Sequence, residues 1–186
     1  FDMKARGNTT VAAYMRMVEG KTSSLFSLPV GGAALLAGAP EPVERGLMQA
    51  AAQIGVLFQI QDDLLDLYGD KGRLSPGGDI REGKPTVLVV HFLEHASAAD
   101  ASWLGGILDE APNATTPEDV DRVREAFRTS GSLGFALQEL DRRRDMALKV
   151  PQEDPAFERP MAVMEQACNL FLAPIAGLRA KGLSAA

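Results

Sequence analysis

The sequence predicts an all-α fold, a bundle of long helices, and three observations support this class. Only 6% of the 186 residues are aromatic, whereas alanine, leucine, glutamate, glutamine and arginine are plentiful. The alternation of β-branched and polar residues that is typical of strands is nearly absent. Helix start signals, in which a capping side chain precedes proline, stand at Thr116-Pro117 and Asp154-Pro155. Together these features are typical of a helix bundle.

The pattern of turns and apolar positions gives the helices in order. The first helix is expected over residues 9–37, with a kink at Pro29. The second is expected over residues 42–68, ending at Gly69 as a C-terminal glycine. A charged, glycine-rich loop follows over residues 70–83. Further helices are expected over residues 84–95, 99–109, 116–150 with a break near Ser130-Gly131, and 154–178.

Composition and charge limit the class of protein. The chain carries 19 Lys and Arg residues against 25 Asp and Glu residues, a net charge of −6, and is 46% apolar. This balance is that of a globular domain and excludes a disordered protein. Residues 1–186 fit a single domain. The negative charge argues against nucleic-acid binding but permits phosphorylated substrates, because a metal ion can invert the local charge.

Cellular location is predicted from the cysteine count and the apolar runs. Cys168 is the only cysteine, so no internal disulfide can form, and a lone thiol fits the reducing cytoplasm. No run reaches the roughly 18 apolar residues of a membrane span, so no transmembrane segment is expected. No signal-peptide pattern is visible. We therefore expect a cytoplasmic protein.

An acidic motif in the second predicted helix carries the strongest chemical signal. Gln59, Asp62, Asp63 and Asp66 fall at positions i, i+3, i+4 and i+7, which is one helix face. No Lys or Arg lies between residues 56 and 70, so the acids would repel one another unless a cation joins them. Carboxylate oxygens favour Mg²⁺, which combines one or two carboxylates with water and substrate phosphate. The alternative is a solvated polar stripe.

Two further segments add groups that suit a phosphate. Residues 78–86 bring Asp79 and Lys84 close to a predicted helix start, where a lysine and free amides favour an anion. In the first helix, Gly20-Lys21-Thr22 interrupts an apolar stretch. Gly20 would let the helix open there and point Lys21 into the bundle. The alternative for Lys21 is an ordinary surface lysine.

In this order, the three segments resemble the trans-polyprenyl diphosphate synthases of the geranylgeranyl type. The resemblance covers about residues 9–90 and continues to the C-terminus as compatible helices. It implies an isoprenoid-synthase-type helix bundle with a central active-site cavity. It also implies an Mg²⁺-dependent prenyltransferase that condenses an allylic diphosphate with isopentenyl diphosphate, and a homodimer.

The resemblance also implies roles for individual residues. Asp62, Asp63 and Asp66 would form the second aspartate-rich motif and hold Mg²⁺, with Asp62 and Asp66 favoured for the contact. The substrate diphosphate would be bound by Lys21, Asp79 and Lys84. The catalytic set would be Lys21, Thr22 and Gln59, with Thr22 and Gln59 facing the developing allylic cation.

One departure from the family pattern concerns the first aspartate-rich motif. No other Asp-Asp-x-x-Asp occurs in the sequence. The first residues, Phe1-Asp2-Met3, resemble the middle of a longer sequence. We therefore expect residues 1–186 to be the C-terminal part of a larger synthase domain. Leu74-Ser75-Pro76 also stand where the family often carries a lysine.

Four alternatives remain open at this point. The protein could be a non-catalytic subunit of the same fold, which the missing motif favours, or a class I terpene cyclase, which Asp62-Asp63-x-x-Asp66 argues against. His91-x-x-Glu94-His95 matches an inverted zinc-protease pattern, since zinc can bridge two histidines one turn apart. Arg142-Arg143-Arg144 could bind phosphate or nucleic acid, although such a run is typical of a solvated helix face.

Overall fold

The described part of the chain is helical, which confirms the predicted all-α class. The computed structural model describes residues 10–69, 76–111, 114–149 and 155–178, and no strand occurs within them. In chain order the helices are α1 (Val11–Val18), a π-helical segment (Glu19–Ser23), α2 (Ser24–Leu36), α3 (Glu41–Tyr68), α4 (Gly78–Arg81), α5 (Val87–His95), α6 (Ala98–Asp109), α7 (Pro117–Thr129), α8 (Ser132–Leu148) and α9 (Glu158–Leu172). Short 3-10 turns at Pro155–Phe157 and Ala173–Ile175 flank α9.

The first two predicted helices are confirmed, with one change at a helix end. Residues 11–36 are helical throughout, and Pro29 lies inside α2 without ending it. The predicted opening of the helix at Gly20 is present as the π-helical segment. Helix α3 stops at Tyr68, and the amide of Gly69 donates to the Leu65 carbonyl at 3.1 Å. Gly69 does this without the left-handed φ expected of a C-terminal glycine.

The third predicted helix begins later than expected. Helix α5 starts at Val87, because the Thr86 hydroxyl caps it by accepting the Val89 amide at 3.3 Å. Lys84 therefore precedes the helix and does not lie in its first turn. Helix α6 begins one residue earlier than expected, after the Ser97 cap.

The start signal at Thr116 is confirmed as a full capping box. The Thr116 hydroxyl accepts the Asp119 amide, and the Asp119 carboxylate accepts the Thr116 amide. The predicted break near residue 130 separates α7 from α8 at Gly131, whose φ is 83°. The other start signal, at Asp154, lies outside the described residues.

The chain divides into two compact units, each with its own apolar core. The acid-motif unit comprises residues 1–14, 60–138 and 174–186, and the π-segment unit comprises residues 15–59 and 139–173. Fully buried side chains of the acid-motif unit include Ile60, Leu64, Val90, Leu104 and Phe127. Those of the π-segment unit include Val18, Val56, Leu57, Leu140 and Cys168. The prediction of a single domain over residues 1–186 stays a prediction.

Among the described helices, one is long and apolar enough to cross a membrane by length and composition alone. It covers residues 155–178, and 22% of its most apolar stretch is buried. One such helix is weak evidence for a membrane span. The expectation that the chain lacks a transmembrane segment is therefore not confirmed.

Candidate active site

Asp63 is buried and is held by hydrogen bonds from two other helices of the acid-motif unit. Its Oδ2 accepts the Tyr14 hydroxyl at 2.7 Å and the Val87 amide at 2.8 Å. Asp63 and Tyr14 are 4% and 1% exposed. Burial, and then the charge of Asp63, raise the pKa of Tyr14 well above its usual value, so Tyr14 stays a hydrogen-bond donor. Asp63 thus ties α3 to α1 and to the start of α5.

Asp66 anchors the segment that carries Lys84. Asp66 Oδ2 accepts the Asp79 amide at 2.8 Å, and the Asp66 carbonyl accepts the Gly77 amide at 2.8 Å. The Asp79 carboxylate in turn pairs with Lys84 Nζ at 2.8 Å. These contacts bring three of the predicted site residues, Asp66, Asp79 and Lys84, into one connected network.

Lys84 has two carboxylate partners near the protein surface. Its Nζ lies 2.8 Å from Asp79 Oδ1 and 2.7 Å from Glu82 Oε2. Burial alone would lower the pKa of Lys84, but its hydrogen bonds to the two carboxylates raise it overall, so the ammonium is charged at neutral pH. Half of the Lys84 side chain is exposed, so a phosphate group could reach it and replace one carboxylate.

Two glycines shape the backbone around this network. Gly77 and Gly83 have φ values of 81° and 63°, a left-handed conformation that glycine adopts without strain. A Cβ on Gly83 would collide with the Leu108 carbonyl oxygen, and one on Gly77 would lie 2.7 Å from Val120 Cγ1. The segment between these two glycines can therefore pack against α6 and α7 only without side chains there.

The acidic motif keeps its predicted spacing because α3 is helical along its whole length. Asp62 is half-buried, whereas Asp63 and Asp66 are buried. Within the described residues, no three His, Cys, Asp or Glu side chains come close enough to hold a metal ion by themselves. The assignment of Asp62, Asp63 and Asp66 to a metal stays a prediction.

The second group of predicted residues lies on or against the π-helical segment. Thr22 is 7% exposed, and its hydroxyl donates to Gln59 Oε1 at 3.1 Å. Lys21 is exposed and is not enclosed by the described chain, contrary to the expectation that it points into the bundle. The physical reason is that burying an ammonium without a partner charge is costly.

A close approach between helices fixes the same segment. Gly55 of α3 faces the segment so closely that a Cβ there would lie 2.7 Å from Ser23 Cα and 3.2 Å from the Phe26 ring. The rings of Phe26, Phe58 and Phe171 cluster beside it, with centroids 5.2–6.2 Å apart. Gln59, the partner of Thr22, directly follows Phe58 of this cluster in α3.

The basic run in α8 departs from the prediction of a solvated face. Arg143 is 4% exposed, and its Nη1 donates to Gln53 Oε1 at 2.9 Å and to Glu19 Oε1 at 3.3 Å. Arg142 fits the prediction better, since more than half of its side chain is exposed. The run alternates in environment because successive residues of a helix point in different directions.

The histidine pair lacks a third metal ligand within the described residues. The rings of His91 and His95 stack with centroids 4.3 Å apart, and their Nδ1 atoms already lie 3.0 Å from Ser132 Oγ and 2.8 Å from the His91 carbonyl. Glu94 accepts the Val11 amide at 2.9 Å. No metal-binding group of three forms around the pair within the described residues. Burial, and then the charge of His95, lower the pKa of His91.

Sequence reasoning missed Tyr14 and Gly55, which organise these contacts, and it placed Arg143 on a solvated helix face and not in a buried contact. Their partners lie far away in the sequence. Tyr14 is 49 residues from Asp63, and Arg143 is 124 residues from Glu19. The sequence near Tyr14 shows only apolar neighbours, and the sequence near Arg143 shows only charged ones. Neither pattern identifies the distant residue that each side chain contacts.

Known proteins resemble this chain in sequence and in fold. A family model described as polyprenyl synthetase matches residues 1–129. The short chain isoprenyl diphosphate synthase of Methanocaldococcus jannaschii is 44% identical over 87 residues, covering 46% of this chain and 27% of the relative. The geranylgeranyl diphosphate synthase of Saccharolobus solfataricus is 32% identical over 156 residues, covering 83% of this chain and 46% of the relative.

A solved structure agrees with the fold. Geranylgeranyl pyrophosphate synthase from Corynebacterium glutamicum, in complex with isoprenyl diphosphate and magnesium, superimposes with a TM-score of 0.79 at 25% identity. The match covers 90% of this chain and 48% of that structure. This chain therefore spans less than half the length of these relatives.

Proposed function

Because this chain belongs to the polyprenyl synthetase family, we propose that its protein is an Mg²⁺-dependent trans-prenyltransferase. It would condense an allylic diphosphate with isopentenyl diphosphate and release a longer, geranylgeranyl-type prenyl diphosphate. The observation that carries the proposal is the network in which Asp66 of the acidic motif anchors Asp79, which in turn pairs with Lys84. It joins candidate metal ligands to a candidate phosphate-binding lysine.

The acidic motif fits one side of a magnesium site. Its donors are hard carboxylate oxygens, and Mg²⁺ usually takes only one or two of these and completes its shell with water and substrate phosphate. Asp62 and Asp66 are the proposed contacts. Asp63 has a positioning role in this proposal, because its Oδ2 already accepts two hydrogen bonds. When bound, the metal would neutralise charge on the leaving diphosphate. The magnesium in the related complex supports this choice of metal.

Lys84 and Lys21 are the proposed cationic contacts of the diphosphate. When an allylic diphosphate ionises, negative charge develops on the leaving group, and fixed positive charges stabilise it. Lys84 keeps its charge between Asp79 and Glu82 and is half exposed. Lys21 is exposed on the π-helical segment. Asp79 would bind substrate indirectly, by holding Lys84 in place.

Thr22 and Gln59 are proposed to face the allylic cation. The Thr22 hydroxyl donates its proton to Gln59 Oε1. The lone pairs of the Thr22 oxygen therefore point away from Gln59, and they are the negative end of the hydroxyl dipole. Neutral oxygens stabilise a cation without trapping it as a covalent ester. The adjacent phenylalanine rings would keep water from the cation.

A homodimer is proposed through α2. Four leucines of this helix, Leu25, Leu28, Leu35 and Leu36, are 64–91% exposed. At 100° per residue they fall within an arc of about 100°, with the small residue Gly32 inside it. Such a stripe suits a second helix, and replacing Leu28 and Leu35 with glutamate should convert a dimer into monomers in light scattering. A wild-type protein that is monomeric would overturn the dimer.

Turnover of labelled isopentenyl diphosphate tests the proposed function. The full-length protein is incubated with Mg²⁺, radiolabelled isopentenyl diphosphate and an allylic primer. We expect an elongated product, whose length identifies the chain-length class. If no product forms although the primer binds in the presence of Mg²⁺, the protein is the non-catalytic subunit. If the product is a cyclic hydrocarbon, the class I cyclase alternative holds instead.

A further inference from the structure

Arg143 of α8 connects three elements of the π-segment unit. Its side chain is 5% exposed. Nη1 reaches Gln53 of α3 and Glu19, the first residue of the π-helical segment, and Nε lies 3.4 Å from Glu139 Oε2 on its own helix. A buried guanidinium with partners on three elements is costly to assemble, because each charged group loses its hydration.

We propose that Arg143 is a positioning residue that clamps the start of the π-helical segment and thereby sets the placement of Lys21 and Thr22. The structural part of this proposal concerns the segment alone. Its catalytic consequence rests on the proposed function, in which Lys21 and Thr22 bind and stabilise the reacting substrate.

The π-helical segment has contacts to other helices at both ends, and Lys21 lies between these two contact points. At its start, Glu19 accepts from Arg143. At its end, Thr22 donates to Gln59, and Ser23 packs against Gly55. A π-helical turn has an extra residue per turn and is rare, so outside contacts must hold it open. Without the clamp at Glu19, the start of the segment loses its ion pair with α8, and it can close into an ordinary helical turn.

The charges around Arg143 explain why the clamp requires arginine. Arg142 and Arg143 share Glu139, and Glu19 adds a second negative charge, so the cluster is neutral overall. The planar guanidinium reaches acceptors in several directions at once, which a single lysine ammonium on a flexible stem does less well. Removing Arg143 would leave Glu139 and Glu19 with one cation instead of two.

Arg142 supplies a matched control on the same helix. It binds Glu139 through two hydrogen bonds, at 2.7 and 3.0 Å, and remains more than half exposed. Arg142→Met therefore removes the same charge one residue away and leaves the hydrogen bond from Arg143 to the π-helical segment in place. A difference between Arg142→Met and Arg143→Met reports on the clamp itself.

Hydrogen exchange and steady-state kinetics on the full-length protein test the clamp. In Arg143→Met we expect amide exchange of residues 19–24 to rise at least about tenfold, since a lost charge-assisted hydrogen bond is worth over a kcal/mol. The KM for the allylic diphosphate should rise by about the same factor. Arg143→Lys should recover part of both effects, and Arg142→Met should match the wild type in both.

Each outcome decides the proposal separately from the proposed function. If amide exchange of residues 19–24 in Arg143→Met stays at the wild-type level, the clamp is overturned. This holds whether or not the protein is a prenyltransferase. If the wild type has no prenyltransferase activity but amide exchange of residues 19–24 rises in Arg143→Met, the clamp is supported and the proposed function fails. Should Arg143→Met not fold, Glu19→Ala decides the question, because Glu19 is half exposed and its removal takes away only the contact at the segment.

Discussion

In the acid-motif unit, carboxylates hold main-chain amides, whereas in the π-segment unit an arginine holds other side chains. Asp63 and Asp66 accept the amides of Val87 and Asp79, so two residues of the acidic motif also position the backbone. In the π-segment unit, Arg143 lies outside the predicted motif and holds Glu19. In the acid-motif unit, residues proposed to bind the metal also position the backbone. In the π-segment unit, the positioning arginine is separate from the residues proposed to bind substrate.

This difference determines what a substitution can reveal. Changing Asp66 removes a candidate metal contact and a backbone anchor together, so the two effects cannot be separated by alanine. Changing Arg143 leaves Lys21 and Thr22 chemically intact, so a change in KM reports on placement. The following experiments test the contrast, from the largest expected effect to the smallest.

Replacing Asp62 with alanine should have the largest effect, because it is the acid of the motif proposed to act mainly through the metal. We expect kcat/KM to fall by on the order of a thousandfold, about 4 kcal/mol of transition-state stabilisation, with the fold retained. Steady-state kinetics at several Mg²⁺ concentrations measure this. Asp145→Ala, an exposed surface acid, is the control. An Asp62 variant within twofold of the wild type would remove Asp62 from the metal site.

Replacing Tyr14 with phenylalanine isolates the positioning role of Asp63. It removes a buried hydrogen bond to a charged carboxylate, so the free energy of unfolding should fall by about 1.5–3 kcal/mol. Tyr68→Phe is the matched control, since Tyr68 donates to the neutral Arg124 carbonyl at 2.9 Å and should cost only about 1 kcal/mol. Urea denaturation measures both variants. If the free energy of unfolding falls equally in the two, the hydrogen bond from Tyr14 to Asp63 is not one to a charged carboxylate.

Replacing Gly55 with alanine tests the close approach in the π-segment unit. The new Cβ would lie 2.7 Å from Ser23 Cα, so the backbone must shift, at a cost of about 1–3 kcal/mol in unfolding free energy. Gly105→Ala on α6 is the control, because a Cβ there meets nothing within 4 Å and alanine favours a helix by up to about 1 kcal/mol. Thermal unfolding of both variants measures the difference. A Gly55 variant as stable as the wild type contradicts the tight packing.

Replacing Lys84 with alanine should have the smallest effect of the four. Its ammonium is half exposed and already shared by two carboxylates, so we expect affinity for the allylic diphosphate to fall about tenfold, roughly 1.4 kcal/mol. Isothermal titration of the primer in the presence of Mg²⁺ measures this. Arg45→Ala, which removes an exposed cation from α3, should leave the affinity unchanged. If the Lys84 variant binds the allylic diphosphate with unaltered affinity, Lys84 does not bind the substrate.

The features predicted correctly from the sequence are those decided by neighbouring residues. Helix α3 and the capping box at Thr116 follow from apolar spacing and from a hydroxyl three residues before an acid. The opening at Gly20 was predictable because a glycine, a lysine and a threonine interrupt an apolar helix. The acidic motif likewise needs only helical periodicity to place its side chains on one face.

The features that sequence reasoning missed depend on which distant segments meet. The exposed environment predicted for Arg143 follows from its charged neighbours. The structure instead buries Arg143, whose Nη1 donates to Glu19 and Gln53 and whose Nε lies 3.4 Å from Glu139. Helix α5 begins three residues after the predicted start at residue 84. The Thr86 hydroxyl accepts the Val89 amide and caps the helix, and Lys84 pairs with Asp79 before the helix begins. Local propensity cannot rank such competing partners.

The two bonds from Asp66, to the amides of Gly77 and Asp79, have a consequence for how the chain can vary in length. They join the end of α3 directly to the segment carrying Lys84, so Asp66 stays beside Gly77 and Asp79 whatever the number of residues that separate them in the sequence. Doubling the number of residues between two such joined points costs only about 0.6 kcal/mol in closure entropy. A longer connection should therefore leave these two hydrogen bonds intact.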